Sequence, residues 1–180
     1  MAEGIRTEVQ YVDAVKQILR ESHTDSVGVK AVGIGRDPLA VLNEALTLMV
    51  RARNDGEPYD WCCLMVDVDD HAHLDTCVRR AKENGIHVVV SNPSFEIWLL
   101  WHLQDMSRHC NQRDIETRLR SLGHGGKNLR ASFPFSDHDQ AVKRAERADP
   151  ALESRQPGPN PSSGMPILLR LMGAPDRRET

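Results

Sequence analysis

The sequence predicts an α/β protein, a parallel sheet flanked by helices with a helical extension at its carboxyl end. Three observations carry that prediction. Trp61-Cys62-Cys63-Leu64-Met65-Val66-Asp67 is a continuous apolar run that ends in acids, as in a strand buried on both faces. Valine-rich runs alternate with stretches of helical period over the first hundred residues, the pattern of βαβ units with right-handed crossovers. After Gln104 the alternation stops, and helical stretches and breaker-rich loops follow. The expected division is an α/β domain over 1–104 and a helical extension over 105–180 packed on it.

Each element has a local reason. Thr7 to Glu21 carries an apolar stripe of Val9, Val12, Val15, Ile18 and Leu19, which predicts a helix with Thr7 as N-cap. Ser26 to Gly35 is valine-rich and reads as a strand. Asp37 then caps a helix from Pro38 to about Arg53, with proline at its first position. The run at 60–67 is expected inside the sheet, parallel to strands near 28–34 and 86–90. His71 to Asn84 reads as a helix stopped by Gly85, and Ile86 to Val90 as a short buried strand. Pro93 to Gln104 is apolar nearly all round, so a buried helix is expected with Pro93 at its first position. Helices follow at Asn111 to Leu122 and His138 to Leu152. A loop of breakers covers Gln156 to Gly164, and Ile167 to Met172 reads as a short apolar helix.

The 180 residues allow one domain with a sizeable core and a small appendage. Cys62, Cys63, Cys77 and Cys110 form no C-x-x-C pair, so neither a disulfide framework nor a zinc knuckle is suggested. There is no apolar stretch of transmembrane length and no signal peptide, so a cytosolic protein without a membrane partner is expected. A net charge of −3 does not advertise nucleic-acid binding. Such a partner would use local basic patches, because phosphate contacts supply most of that affinity. The segment 105–130 holds six Lys or Arg against three acids, among them Lys127 and Arg130. Gly123-His124-Gly125-Gly126-Lys127 is not an ATP-binding P-loop, since Asn128 follows the lysine and no strand precedes it.

The chemistry concentrates where the apolar run ends. Alternation along a strand puts Asp67 and Asp69 on one side, at the carboxyl end where open parallel sheets bind ligands. Two such carboxylates about 6 to 7 Å apart repel by roughly 2.5 kcal/mol at an effective dielectric near 20. A cation between them, a shared proton or screening water relieves that repulsion. The alternative is a pair of solvated acids capping the next helix. Asp67-x-Asp69-x-His71-x-His73 is compatible with zinc or manganese, and the acids alone with magnesium. Asp70 and Glu8 are further candidates. Glu96, the one acid of the apolar helix after Pro93, is expensive to bury unless paired and is expected near Asp67 and Asp69.

Three blocks together resemble one family. They are Glu3-Gly4-x-x-Thr7-Glu8, Asp67-x-Asp69-Asp70-His71, and Ser91-Asn92-Pro93-x-Phe95-Glu96-x-Trp98-Leu99-Leu100-x-His102. They are similar to the RloB-like family, related to abortive-infection protein AbiLii, and Asn160-Pro161-Ser162-Ser163 resembles that family's carboxyl end. The resemblance implies a Toprim-like sheet and a Mg²⁺- or Mn²⁺-dependent nuclease of phage defence, encoded beside an AAA/ABC-type ATPase. By that resemblance Glu3 takes the first-strand role, and Asp67 and Asp69 the D-x-D role, in holding the metal. Apart from the resemblance, the residues' own chemistry makes Asp70 and His71 further metal candidates and Glu96 a further catalytic one, with Lys127 and Arg130 of the basic segment to hold the nucleic-acid backbone. A homodimer is a further expectation. The family has an apolar strand before its E-G motif, whereas only Met1-Ala2 precede Glu3 here, so a gap in the sheet is expected. That gap favours a rival reading, a non-catalytic regulatory or toxin subunit acting with the ATPase. Phosphatases of the haloacid-dehalogenase type also use D-x-D, but want it after the first strand with Thr or Val where His71 stands.

Overall fold

Alternation along two short strands divides the core into two layers. β1 (Cys63–Asp67) and β2 (His87–Asn92) pair in parallel, from Cys63 with His87 to Asp67 with Ser91. Cys63, Met65 and Val89 enter one apolar cluster, and Leu64, Val66, Val88 and Val90 the other. This is the period of two of strands buried on both faces. The structure is a computed structural model that describes residues 1, 6–22, 29–33, 37–68, 73–126 and 128–173.

Helices cover both faces. α1 (Thr7–Ser22) brings Tyr11, Val12, Val15 and Leu19 to the first cluster. Four more helices share it: α4 (Glu96–Leu103), α5 (Gln112–Ser121), α6 (His138–Ala148) and α7 (Met165–Leu171). α2 (Pro38–Asn54) and α3 (Leu74–Glu83) cover the second. The mixed α/β class is therefore as expected. The caps are local: the Asp37 carboxylate accepts from the Leu39 and Ala40 N–H groups, and Pro38 opens α2. Asn111 and Asp114 form a reciprocal capping box on α5. Gly85 sits at φ +68 just after α3, the left-handed position that glycine adopts without cost.

The sheet differs from the expected one. A third strand, β3 (Ser162–Ser163), pairs antiparallel with β2, opposite Asn92 and Ser91, so the sheet is mixed and β2 is its middle strand. Two residues inside a loop of breakers are too short for periodicity to reveal. Gly164 lets that loop lie against β2, since a Cβ there would stand 2.9 Å from the Val89 Cα. β1 is an edge strand of this ladder rather than an inner one. On its outer side Met1 pairs in the parallel pattern: the terminal ammonium donates to the Cys63 carbonyl at 2.7 Å, and the Met65 N–H donates to the Met1 carbonyl at 2.8 Å.

The expected strand at 26–35 is not a ladder in its described part. Residues 29–32 are irregular and Gly33 makes an isolated bridge; residues 26–28 and 34–35 lie outside the described residues. Valine content there reports apolar surroundings, since several of these residues pack on the first cluster or line a cleft. α4 opens at Glu96, not at Pro93. β2 runs on through Asn92, because a residue before proline is pushed toward extended conformations. α6 stops at Ala148 and α7 begins at Met165, each within four residues of the expected bounds. No helix among the described residues is long and apolar enough to cross a membrane.

Candidate functional site

Asp67 is the last residue of β1 and continues the side of the strand that carries Cys63 and Met65, the side covered by α1 and α4. Ser91 of β2 stands opposite it, and the Val68 N–H donates to the Ser91 carbonyl at 2.8 Å. From Ser91 the chain passes through Asn92, Pro93 and Ser94 to Glu96, the first residue of α4. Asp67 and the turn bearing Glu96 thus leave neighbouring parallel strands at the same edge, where such sheets bind ligands.

Glu96 is half-buried, and the buried Ser94 hydroxyl donates to its Oε2 at 2.6 Å. The partner that a carboxylate on this apolar helix needs is therefore two residues upstream. Its place in the first turn adds favourable interaction with the helix dipole. Arg130 is exposed and accepts at its carbonyl from the Phe133 N–H. His73 precedes α3 with its Nδ1 3.9 Å from the Asp37 carboxylate, both side chains being largely exposed. Glu3, Asp69, Asp70, His71 and Lys127 lie outside the described residues. Among the described residues no group of three or more His, Cys, Asp or Glu could hold a metal ion.

A polar rim surrounds this edge that sequence reasoning read only as resemblance. Ser91 and Ser163 share a hydrogen bond at 3.2 Å, and the Asn92 amide donates to the Gly158 carbonyl at 3.0 Å. Asn160 bonds both backbone groups of Cys110, at 2.9 and 3.1 Å. The signal available was the pairing of Ser91-Asn92-Pro93 with Asn160-Pro161-Ser162-Ser163; nothing local said that the two segments meet. Beneath α4, the Tyr11 hydroxyl lies 3.0 Å from His102 Nε2, and His102 Nδ1 lies 3.0 Å from the Pro134 carbonyl. The carbonyl can only accept, so Nδ1 carries the proton and Nε2 accepts from tyrosine. Burial lowers the His102 pKa to about 4, and burial raises that of Tyr11. This tie between α1 and α4 fixes the helix that carries Glu96.

An acid thus ends a buried parallel strand beside a serine- and asparagine-rich turn, within a small mixed α/β fold. The family model for RloB-like protein matches residues 1–172, and the chain belongs to the RloB-like family. No curated protein and no solved structure matches it.

Proposed function

We propose that the protein is a metal-dependent nuclease of Toprim type, acting in the bacterial cytosol in anti-phage defence beside an AAA/ABC-type ATPase. The observation that carries this reading is Asp67, the first acid of a D-x-D, at the carboxyl end of β1 and across from the β2 turn that leads to Glu96. Membership of the RloB-like family supports it. Glu3, Asp67 and Asp69 would hold Mg²⁺ or Mn²⁺, since carboxylate oxygens are the donors those cations favour. When bound, the cation lowers the pKa of water and neutralises charge on the phosphate being cleaved.

The chain's own groups supply the rest. Glu96, held by Ser94, would accept the proton of the attacking water as its oxygen bonds to phosphorus, and the phosphate–sugar bond would break with the leaving sugar oxygen taking a proton from solvent. Asp70 and His71 follow the D-x-D acids in the sequence and would assist them, and Lys127 and Arg130 would hold the nucleic-acid backbone. The test pairs wild type with Asp67→Asn, each with the neighbouring ATPase, on RNA, tRNA, and single- and double-stranded DNA with Mg²⁺ or Mn²⁺. Cleavage by wild type alone supports the proposal; equal cleavage by both, or none on any substrate, overturns it. A regulatory subunit acting through the ATPase is the second reading.

A further inference from the structure

Asp149 is a buried carboxylate at the negative end of a helix. It caps the carboxyl end of α6 and is 9% exposed. The carbonyls of a helix's last turn lack partners within the helix and carry partial negative charge. Here Pro150 has no N–H to give the Glu146 carbonyl four residues before it. A charge so placed is costly unless a cation compensates it. Among the described residues no basic side chain pairs with Asp149. The arginines nearest in sequence are engaged elsewhere. Arg147 lies 3.6 Å from Asp105, and Arg144 and Arg155 donate to the Trp101 and Ile86 carbonyls.

A second orphan group meets it there. Ser162 of β3 is 1% exposed, and its hydroxyl has no hydrogen-bond partner among the described residues. Both groups converge on Gly158. A Cβ built on that glycine would overlap Asp149 Oδ2 and stand 2.6 Å from Ser162 Oγ. Two oxygens that meet at one such point lie within the roughly 5 Å that a pair of ligands spans across a hard cation. The backbone around them is rich in acceptors and poor in donors. Pro150, Pro157, Pro159 and Pro161 have no N–H. The Gly158 carbonyl accepts from the Asn92 amide at 3.0 Å and keeps a second lone pair.

We infer that Asp149 and Ser162 hold a monovalent cation, sodium or potassium, where the end of α6 meets β3 and the proline-rich loop. Asp149 Oδ2 and Ser162 Oγ are its side-chain ligands, and main-chain carbonyls of that loop are the further donors it would use. One carboxylate against one positive charge leaves the buried site neutral, whereas a divalent ion would leave a net charge in it. The consequence reaches the sheet edge. The loop so fastened carries Gly158, whose carbonyl holds Asn92 just before the turn to Glu96. This inference stands apart from the nuclease reading, since it uses none of the acids of that reading.

The test compares urea unfolding in KCl, NaCl and choline chloride at equal ionic strength, with calcium chloride as the divalent control. Wild type should have a higher urea midpoint in KCl or NaCl than in choline chloride, and the gain should grow with the logarithm of the salt above its Kd. Asp149→Asn should lose that gain. In choline chloride it should be at least as stable as wild type, because the uncompensated charge is gone. Ser162→Ala should weaken the apparent affinity by at least about tenfold. In wild-type crystals soaked in thallium(I), anomalous density should lie between Asp149 Oδ2 and Ser162 Oγ. That readout needs no variant, so it decides the matter if Asp149→Asn fails to fold. Equal wild-type midpoints in choline and the alkali salts would overturn the inference. So would an equal gain in Asp149→Asn, thallium bound only elsewhere, or a larger gain with calcium than with either alkali ion.

Discussion

His102 shows how one residue couples packing to pH. Its ring is buried between Tyr11 and the Pro134 carbonyl, and burial holds its pKa at about 4 against an ordinary 6.5. The folded state therefore keeps the neutral ring while the unfolded chain takes up a proton near pH 6.5. Its contribution is fully present above that pH and is lost as pH falls toward 4, by about 3 kcal/mol over the whole window. Urea unfolding at pH 7.5, 5.5 and 4.5 should show that decline, and His102→Gln should flatten it. Asp67 belongs to the same scale. Asp67→Asn removes charge with little change in volume, so circular dichroism should show the fold unchanged while the proposed nuclease activity disappears. Arg130→Ala should leave the choice of substrate intact and reduce the salt slope of nucleic-acid binding by about one, as for one lost phosphate contact.

Among the elements, β3 shows how a short strand is built from tertiary contact. It needs Gly164, whose missing Cβ leaves room for the Val89 Cα and the Val90 N–H. Gly164→Ala should destabilise the protein by about 1–3 kcal/mol, the usual cost of overpacking, read as a lower urea midpoint. α5 depends instead on its own end. Asn111→Ala breaks the capping box with Asp114 and should cost about 1 kcal/mol. The two variants separate a strand held by its neighbour from a helix specified locally.

For the whole molecule, the prediction that weighs most is linkage. A cation bound by the folded acids and absent from the unfolded chain stabilises by about 2.7 kcal/mol at one hundred times its Kd. For a domain of this size that is roughly 5–10 °C in melting temperature. Calorimetry in Mn²⁺ or Mg²⁺ should show the rise in wild type and lose it in Asp67→Asn. An unchanged melting temperature in millimolar metal would mark the acids as solvated caps.

Much of this molecule was legible in its sequence, for reasons that act over a few residues. The apolar run to Asp67 gave a doubly buried strand because burial on both faces removes polar alternation, as β1 shows. Asp37-Pro38 and Asn111 marked helix starts because capping is a bond between residues two or three apart. The three motif blocks pointed to the RloB-like family, which the match over residues 1–172 shows. Tertiary structure alone decided the rest. Ser162-Ser163 is a strand only because β2 supplies its partner, and residues 29–32 remain irregular despite their valines. Pairing is a property of two segments, and a single segment does not carry it. His102 found its partners in Tyr11 and Pro134. The last two come from segments 91 and 32 residues away, a distance over which sequence pattern says nothing about contact.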